Sequence, residues 1–162
     1  AGYNATTASN AVIIGNAAGH NSTLANNAII VGSGAGYNST LVNNAVLIGG
    51  AAGQNATTSS GAVMIGFDAG QNVIDATNAT IVGPLAGGIG TNVDYATMVG
   101  YSAGYNGKTA SYSTFIGSNS DTLNSSLNVS KSIALGYNAK VSASNMCVIG
   151  GTGVDAVRVS IT

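Results

Sequence analysis

Glycine closes a short apolar run at every seventeenth residue over most of this chain. The first run is Ala11-Val12-Ile13-Ile14, followed by Gly15, and a second glycine row begins four residues later at Gly19. β-branched residues dominate the runs, so each run predicts a short strand, and the glycines predict bends. One apolar run per fixed short period is typical of coils stacked along an axis. We therefore expect an all-β parallel β-solenoid (β-roll) of about 17-residue coils. The closing glycines of the regular region are Gly15, Gly32, Gly49, Gly66, Gly83, Gly100 and Gly117.

The spacing changes after Gly117, which divides the chain into three predicted regions. The next closing glycines are Gly136 and Gly150, nineteen and fourteen residues on, and Asp121 stands where the second glycine row should continue. We predict a regular solenoid over residues 1–117 and an irregular loop over 118–130. Narrower coils and a terminal strand at 156–161 are expected within residues 131–162. The loop is the expected place for a specific contact, because it escapes the repeat.

Three rows of side chains run through the predicted strands. Ile or Val stands one residue before each closing glycine, and Val, Ile or Thr stands three before it. Because side chains alternate along a strand, these two rows share one face, and the central row between them occupies the other. An alanine row behind the glycines would fill a narrow interior together with the two flanking rows. We therefore expect the central row to point outward; with the opposite parity, two apolar rows point outward instead.

Stacked large apolar side chains on the outside would form a stripe of several hundred Å². Identical patches that rise along one axis are best buried by rotational symmetry about that axis, in a closed oligomer. The central row is therefore the predicted oligomer interface. It comprises Ile13, Ile30, Leu47, Met64, Ile81, Met98 and Phe115.

Composition favours an extracellular or virion setting. Only 6% of the 162 residues are charged, against about 25% in ordinary soluble domains, and the polar residues are mainly Asn, Ser and Thr. A net charge of −1 gives no electrostatic footprint for nucleic acid, and the apolar runs are too short to insert into a membrane. Cys147 is the only cysteine, so no intrachain disulfide can form, and we expect it to be a small buried hydrophobic residue.

The stretch Lys131-Ser132-Ile133-Ala134-Leu135-Gly136-Tyr137-Asn138-Ala139 resembles the head repeats of trimeric autotransporter adhesins. That resemblance implies a homotrimer of parallel β-rolls, with adhesin-like coils over residues 131–162. The repeated Ala-Gly-Tyr-Asn units and the segment from Gly150 onward also resemble repeats in phage and viral fibres. A bacterial surface filament and a virion fibre are both consistent with these residues.

Seven Asn-X-Ser/Thr sequons occur, and the first four keep the seventeen-residue period. One interpretation is a column of glycosylation sites at Asn4, Asn21, Asn38 and Asn55. The other is that a repeat rich in Asn, Ser and Thr generates sequons by chance, while stacked Asn side chains form an amide ladder.

Two further rows are candidates for ligand contact. Tyr3, Tyr37 and Tyr105 lie in one register with His20 and could contact a sugar, or pack at a bend with the hydroxyl in water. A threonine row suggests ice binding, but Ile74 and Lys108 interrupt it. Nothing in the sequence assembles a catalytic, cofactor-binding or metal site, because His20 is the only histidine and the five Asp are scattered.

These observations predict a structural and adhesive segment of an extracellular homotrimeric fibre, without enzymatic activity. Its first partner would be itself, and a host-surface glycan or an extracellular protein is a possible second partner. The alternative is a ligand-binding solenoid that recognises glycan or ice.

Overall fold

The computed structural model describes residues 1–4 and 7–151, and these residues form an all-β parallel solenoid of about eight coils. The predicted fold class is therefore confirmed as far as the solenoid. None of the described residues lies in a helix, so that part of the chain holds no helix able to span a bilayer. The terminal strand predicted at 156–161 lies outside the described residues.

Within residues 7–151, one nine-stranded parallel sheet runs along the solenoid. Neighbouring strands from β1 to β7 pair at an offset of one 17-residue coil, so like residues stand above like: Ile13 pairs with Ile30, and Ile30 with Leu47. The sheet consists of β1 (Val12–Ile14), β2 (Ile29–Val31), β3 (Val46–Ile48), β4 (Val63–Ile65), β5 (Thr80–Val82), β6 (Thr97–Val99), β7 (Thr114–Ile116), β9 (Ile133–Leu135) and β11 (Cys147–Ile149).

A second side of the coils is held by shorter pairings. β8 (Asp121–Thr122) pairs with β10 (Lys140–Val141) in a two-stranded parallel sheet. A column of single parallel bridges runs from Thr7 through Leu24 and its successors to Asn128. Backbone hydrogen bonds between adjacent coils therefore hold each coil on more than one side.

The central row of the strands points inward, which corrects the predicted parity. Six of its seven members are completely buried and Ile13, at the open first coil, is partly buried, so they form the core of one chain rather than an interface. The residues predicted to face outward are thus inside: Ile13, Ile30, Leu47, Met64, Ile81, Met98 and Phe115.

The second glycine row explains why the interior accepts the larger row. At Gly70 an added Cβ would lie 2.4 Å from Sδ of Met64, so the glycine leaves the space that the facing core side chain fills. The alanine row beside it is buried too, as at Ala52 and Ala69. One large row against Ala and Gly fills a narrow coil, and two β-branched rows on the inside would overfill it.

The closing glycines allow the coils to stack at a bend. Gly49 has a φ of +133°, and an added Cβ would lie 2.3 Å from the carbonyl oxygen of Gly66 in the next coil. A side chain at this position would therefore meet both an unfavourable backbone conformation and the backbone of its neighbour.

The predicted loop over 118–130 is much shorter in the structure. Ser120, Asp121 and Thr122 are buried within the stack, and Val129 donates its N–H to the Thr109 carbonyl. Asp121 pairs with Lys140, and Asn128 with Thr109, at an offset of 19 residues. The two extra residues of this coil therefore fall in the exposed turn 123–126. The next coil is narrower, since β11 pairs with β9 at an offset of 14 residues.

Candidate functional surface

The nine-stranded sheet exposes two apolar rows on its outer side, and we call them the apolar face. Nine of their large side chains remain 36–58% exposed, including Ile48, Ile65 and Ile116. No charged residue stands in either row of the described strands. The first row is Val12, Ile29, Val46, Val63, Thr80, Thr97, Thr114, Ile133 and Cys147; the second is Ile14, Val31, Ile48, Ile65, Val82, Val99, Ile116, Leu135 and Ile149.

The apolar face changes character along its length. Strands β1 to β4 present only Val and Ile, whereas β5 to β7 carry a threonine in the first row, at Thr80, Thr97 and Thr114. Exposed aromatic residues follow the second row in the middle coils, at Phe67 and Tyr101. The face therefore has an aliphatic section over β1 to β4, a section with threonine over β5 to β7, and a last section over β9 and β11 that is aliphatic apart from Cys147.

Tyr95 and Tyr112 stand on the other margin of the section with threonine. Their rings stack with centroids 5.0 Å apart and an interplanar angle of 6°, and both remain exposed. Because the rings lie on each other, each covers one face of its neighbour and presents its edge to the side.

The sequon asparagines form an amide ladder up one corner of the solenoid. Asn4 donates to the Oδ1 of Asn21 at 3.3 Å, Asn21 to that of Asn38 at 3.0 Å, and Asn38 to that of Asn55 at 3.4 Å. Asn55 continues the ladder to Asn72 at 2.9 Å. Their φ angles near +60° explain the choice of asparagine, which tolerates the left-handed region better than most residues. Glycosylation of this column stays a prediction.

The tyrosines predicted for surface contact lie in two environments. Tyr3 and Tyr37 sandwich the ring of His20, with centroid distances of 5.4 and 5.1 Å. Tyr105 lies close over Gly88, where an added Cβ would stand 2.4 Å from its ring. The stack covers one face of each ring of Tyr3 and Tyr37, and Tyr105 is half-buried. Contact of these tyrosines with a sugar remains a prediction.

The threonine row that suggested ice binding is broken in the structure as in the sequence. Thr23, Thr40 and Thr57 are exposed in successive coils, and the exposed Ile74 and Lys108 interrupt the row further on. The uninterrupted part thus covers only a few coils.

Among the residues that the structure describes, Asp121 is the one charged side chain that is buried, and it joins the regular stack to the coil that follows. Its Oδ2 accepts the backbone N–H of Asn106 at 2.8 Å and the Asn106 Nδ2 at 3.0 Å, and its Oδ1 accepts the N–H of Thr122. Burial raises the pKa of this carboxyl above 3.8, while the hydrogen bonds and the charge of Lys140 oppose that rise.

A second carboxylate pair lies on the bridge side of the coils. Asp94 accepts the N–H of Thr77 at 2.7 Å, and the Thr77 hydroxyl donates to Asp75 at 3.1 Å. Partial burial, with a contribution from the charge of Asp75, raises the pKa of Asp94. Among the described residues, no three His, Cys, Asp or Glu side chains come together to hold a metal ion, and no pocket is found.

Cys147 is exposed, which corrects its prediction as a buried residue. It pairs with Ile133 and so continues the first row of the apolar face. Cys147 is exposed because side chains alternate along a strand, so the residues that flank the buried central row point outward.

The apolar face is the surface that the preferred parity missed, although the sequence carries a signal for it. The row three before the closing glycine becomes Thr in three successive coils, while the central row stays apolar as Ile81, Met98 and Phe115. A hydroxyl row is more readily placed toward water than in a dry interior, which favours the flanking rows as the outer ones.

No protein-family model, curated protein or solved structure matches this chain. Its function therefore has to be argued from the surface just described.

Proposed function

We propose that this chain is a structural and adhesive segment of an extracellular fibre, assembled as a homotrimer through its apolar face. The observation that carries the proposal is the double row of mainly Val, Ile and Leu, up to 58% exposed, on an in-register parallel sheet. Such a surface costs free energy in water at about 25 cal/mol per Å², so it favours a covering partner.

The size of the apolar face suits an interface between copies. With strands about 4.8 Å apart, nine strands make it about 40 Å long, and two rows make it roughly 13 Å wide, on the order of 500 Å². A standard interface takes about 800 Å² from each partner. The exposed aromatic residues at its margins, Phe67, Tyr95, Tyr101 and Tyr112, enlarge the area toward that value.

The repeat favours rotational symmetry about an axis parallel to the solenoid. Under that symmetry each coil of one copy meets the same coil of the others, so aliphatic positions face aliphatic positions and threonines face threonines. A two-fold axis perpendicular to the middle of the sheet would instead place Val46 and Val63 near the threonines of β6 and β7. The proposed number of three copies rests on the resemblance to the heads of trimeric autotransporter adhesins.

The extracellular setting and the mechanical role are supported by the surface chemistry. Stacked coils joined by backbone hydrogen bonds on several sides suit a stiff rod. The remaining surface is rich in Asn, Ser, Thr and Tyr, whose neutral polar groups can form hydrogen bonds with other molecules. An adhesive contact with a host-surface glycan or an extracellular protein would use this surface.

The assembly proposal is tested by charging one face at a time. Ile48→Lys with Ile65→Lys places two charges in the apolar face, and Thr40→Lys with Thr57→Lys places two charges on exposed positions of neighbouring coils elsewhere. Sedimentation velocity should give folded monomers for the first pair and trimers for the second. If the first pair remains trimeric, the apolar face is not the interface; if the wild type is a monomer at micromolar concentration, the fibre proposal is wrong.

A further inference from the structure

One of the seven sequons differs from the rest in its place in the fold. Asn124, with Ser125 and Ser126, lies in the exposed turn that holds the two extra residues of the 19-residue coil. The six others have their asparagine in the coils of the stack: Asn4, Asn21, Asn38, Asn55, Asn78 and Asn128.

The stacked sequons are poor acceptors for a modifying enzyme. The backbone N–H groups of Asn21, Asn38 and Asn55 donate to carbonyls of the preceding coil at 3.1, 2.9 and 2.8 Å, so the chain cannot lift out of the stack locally. Coils stand about 4.8 Å apart, which leaves no room for a hexopyranose and its hydroxyl groups on each of two successive coils. Each amide nitrogen also donates within the ladder.

The same restraint applies to two sequons outside the ladder. Asn78 donates its N–H to the Ser60 carbonyl at 2.9 Å, and the threonine of its sequon, Thr80, is the first residue of β5. Asn128 bridges Thr109, and the following Val129 is buried.

Within the described part of the chain, Asn124 makes only local hydrogen bonds. Its Oδ1 accepts the N–H of Ser126 at 3.1 Å, and its backbone carbonyl accepts the Thr122 hydroxyl at 2.9 Å and the N–H of Leu127 at 3.3 Å. Residues 123–126 are all exposed. The turn thus holds the amide oxygen of Asn124 on the N–H of Ser126, the third residue of the sequon, while both residues remain exposed.

We propose that Asn124 is an N-glycosylation site of the folded protein and that the stacked asparagines are not. The donor is an oligosaccharide on a lipid pyrophosphate. The amide nitrogen of Asn124 forms a bond to the sugar C1, the C1–O bond breaks, lipid pyrophosphate leaves with the electron pair, and one amide proton passes to a base of the transferase. Occurrence in the organism rests on the extracellular location proposed above, whereas the acceptor chemistry does not.

The test offers the folded protein to a purified eukaryotic oligosaccharyltransferase with a lipid-linked oligosaccharide, followed by peptide mapping in a mass spectrometer. We expect one glycan per chain, on Asn124. Asn124→Gln and Ser126→Ala should abolish it, and Ser126→Thr, which keeps the sequon, should retain it. Proteolytic peptides of the same chain serve as the positive control, because outside the stack their sequons are free to react.

Modification of any of the six stacked asparagines in the folded chain would overturn the proposal: Asn4, Asn21, Asn38, Asn55, Asn78 or Asn128. So would an unmodified Asn124 in folded protein whose peptides do react. Sedimentation of the same samples keeps the two proposals apart: a monomer that accepts a glycan at Asn124 contradicts the trimer alone, and a trimer that does not accept it contradicts this inference alone.

Discussion

The regular stack and the junction after Gly117 reach the same backbone pattern by different means. In the stack, the second-row glycines donate to alanine carbonyls of the next coil, as Gly53 does to Ala69 at 2.8 Å. At the junction, Asp121 occupies the glycine position and still donates its N–H, to Ala139 at 2.9 Å. The backbone ladder therefore continues through a coil whose sequence has left the repeat.

At the junction, polar side chains satisfy backbone groups that in the stack are satisfied by the backbone of a neighbouring coil. The carboxylate of Asp121 accepts the backbone N–H of Asn106. At the equivalent position in the stack, the backbone N–H of Asn72 donates instead to the carbonyl of Gln54. The Ser132 hydroxyl lies 3.1 Å from both the Ser130 and the Ala143 carbonyl oxygens, which share its one proton, and it accepts the N–H of Met146, beside the step to the 14-residue coil. The comparison teaches that coil length can change where polar side chains satisfy the backbone groups that lose their usual partners.

The largest expected effect on stability comes from placing a charge inside the stack rather than on its outer face. Leu47→Asp puts a carboxylate in a fully buried position and should cost more than ~4 kcal/mol, enough to prevent folding. Ile48→Asp changes the adjacent outward residue, and its strand signal in circular dichroism should remain. The opposite outcome, a folded Leu47→Asp and an unfolded Ile48→Asp, would mean that the parity described above is reversed.

A smaller loss is expected at the closing glycines, which the junction also retains. Gly49→Ala should cost about 2–4 kcal/mol in urea unfolding, because its φ is +133° and its Cβ would meet the Gly66 carbonyl. The neighbouring Gly50→Ala is the matched control, since its Cβ would stand 3.3 Å from the Phe67 ring and it is not among the positive-φ glycines. Equal effects of the two substitutions would show that the close approach of the coils does not constrain Gly49.

The strand faces and the closing glycines also show how much of the fold could be predicted from the sequence. The fixed period and the β-branched runs predict the solenoid, the strand positions and the break after Gly117 from composition and spacing alone. Which face of each strand points inward is harder to predict, because both faces are apolar and only the threonines of β5 to β7 distinguish them. The burial of Asp121 and the stack of Tyr3, His20 and Tyr37 depend on contacts between coils, which no single repeat encodes.

The junction should show its own dependence on pH. Because burial raises the folded-state pKa of Asp121, the folded protein binds the proton more tightly than the unfolded chain. Its contribution to stability is therefore fully present below pH 3.8, the unfolded value, and is lost as the pH rises through the folded pKa.

Asp121→Asn removes this titration, so the difference in unfolding free energy between wild type and variant should change in that pH window and level off above it. Asp94, whose pKa is also raised, titrates in both proteins and cancels from the difference. Asp121→Ala should cost about 1–3 kcal/mol at neutral pH, because the N–H of Asn106 loses its acceptor. A difference curve that does not vary with pH would contradict the assigned cause.

The smallest effect is expected from the exposed turn. Deleting Ser125 and Ser126 returns the coil to the length of its predecessors, and the unfolding free energy should change by less than ~1 kcal/mol. Deleting Asn43 and Asn44 from a regular coil is the control, and it should be strongly destabilising because Asn44 donates its N–H to the Asn26 carbonyl. A large loss from the first deletion would show that the turn belongs to the folded core.

The most direct test of the account uses the single native cysteine. Cys147 is exposed at the end of the apolar face, so a spin label there reports whether, and in which direction, copies meet. Double electron–electron resonance on the wild-type sequence should give a short separation of about 10–20 Å, since packed sheets lie about 10 Å apart. Antiparallel copies would give about 40 Å, the length of nine strands. Either that long separation or no dipolar coupling at all would contradict a parallel assembly through the apolar face.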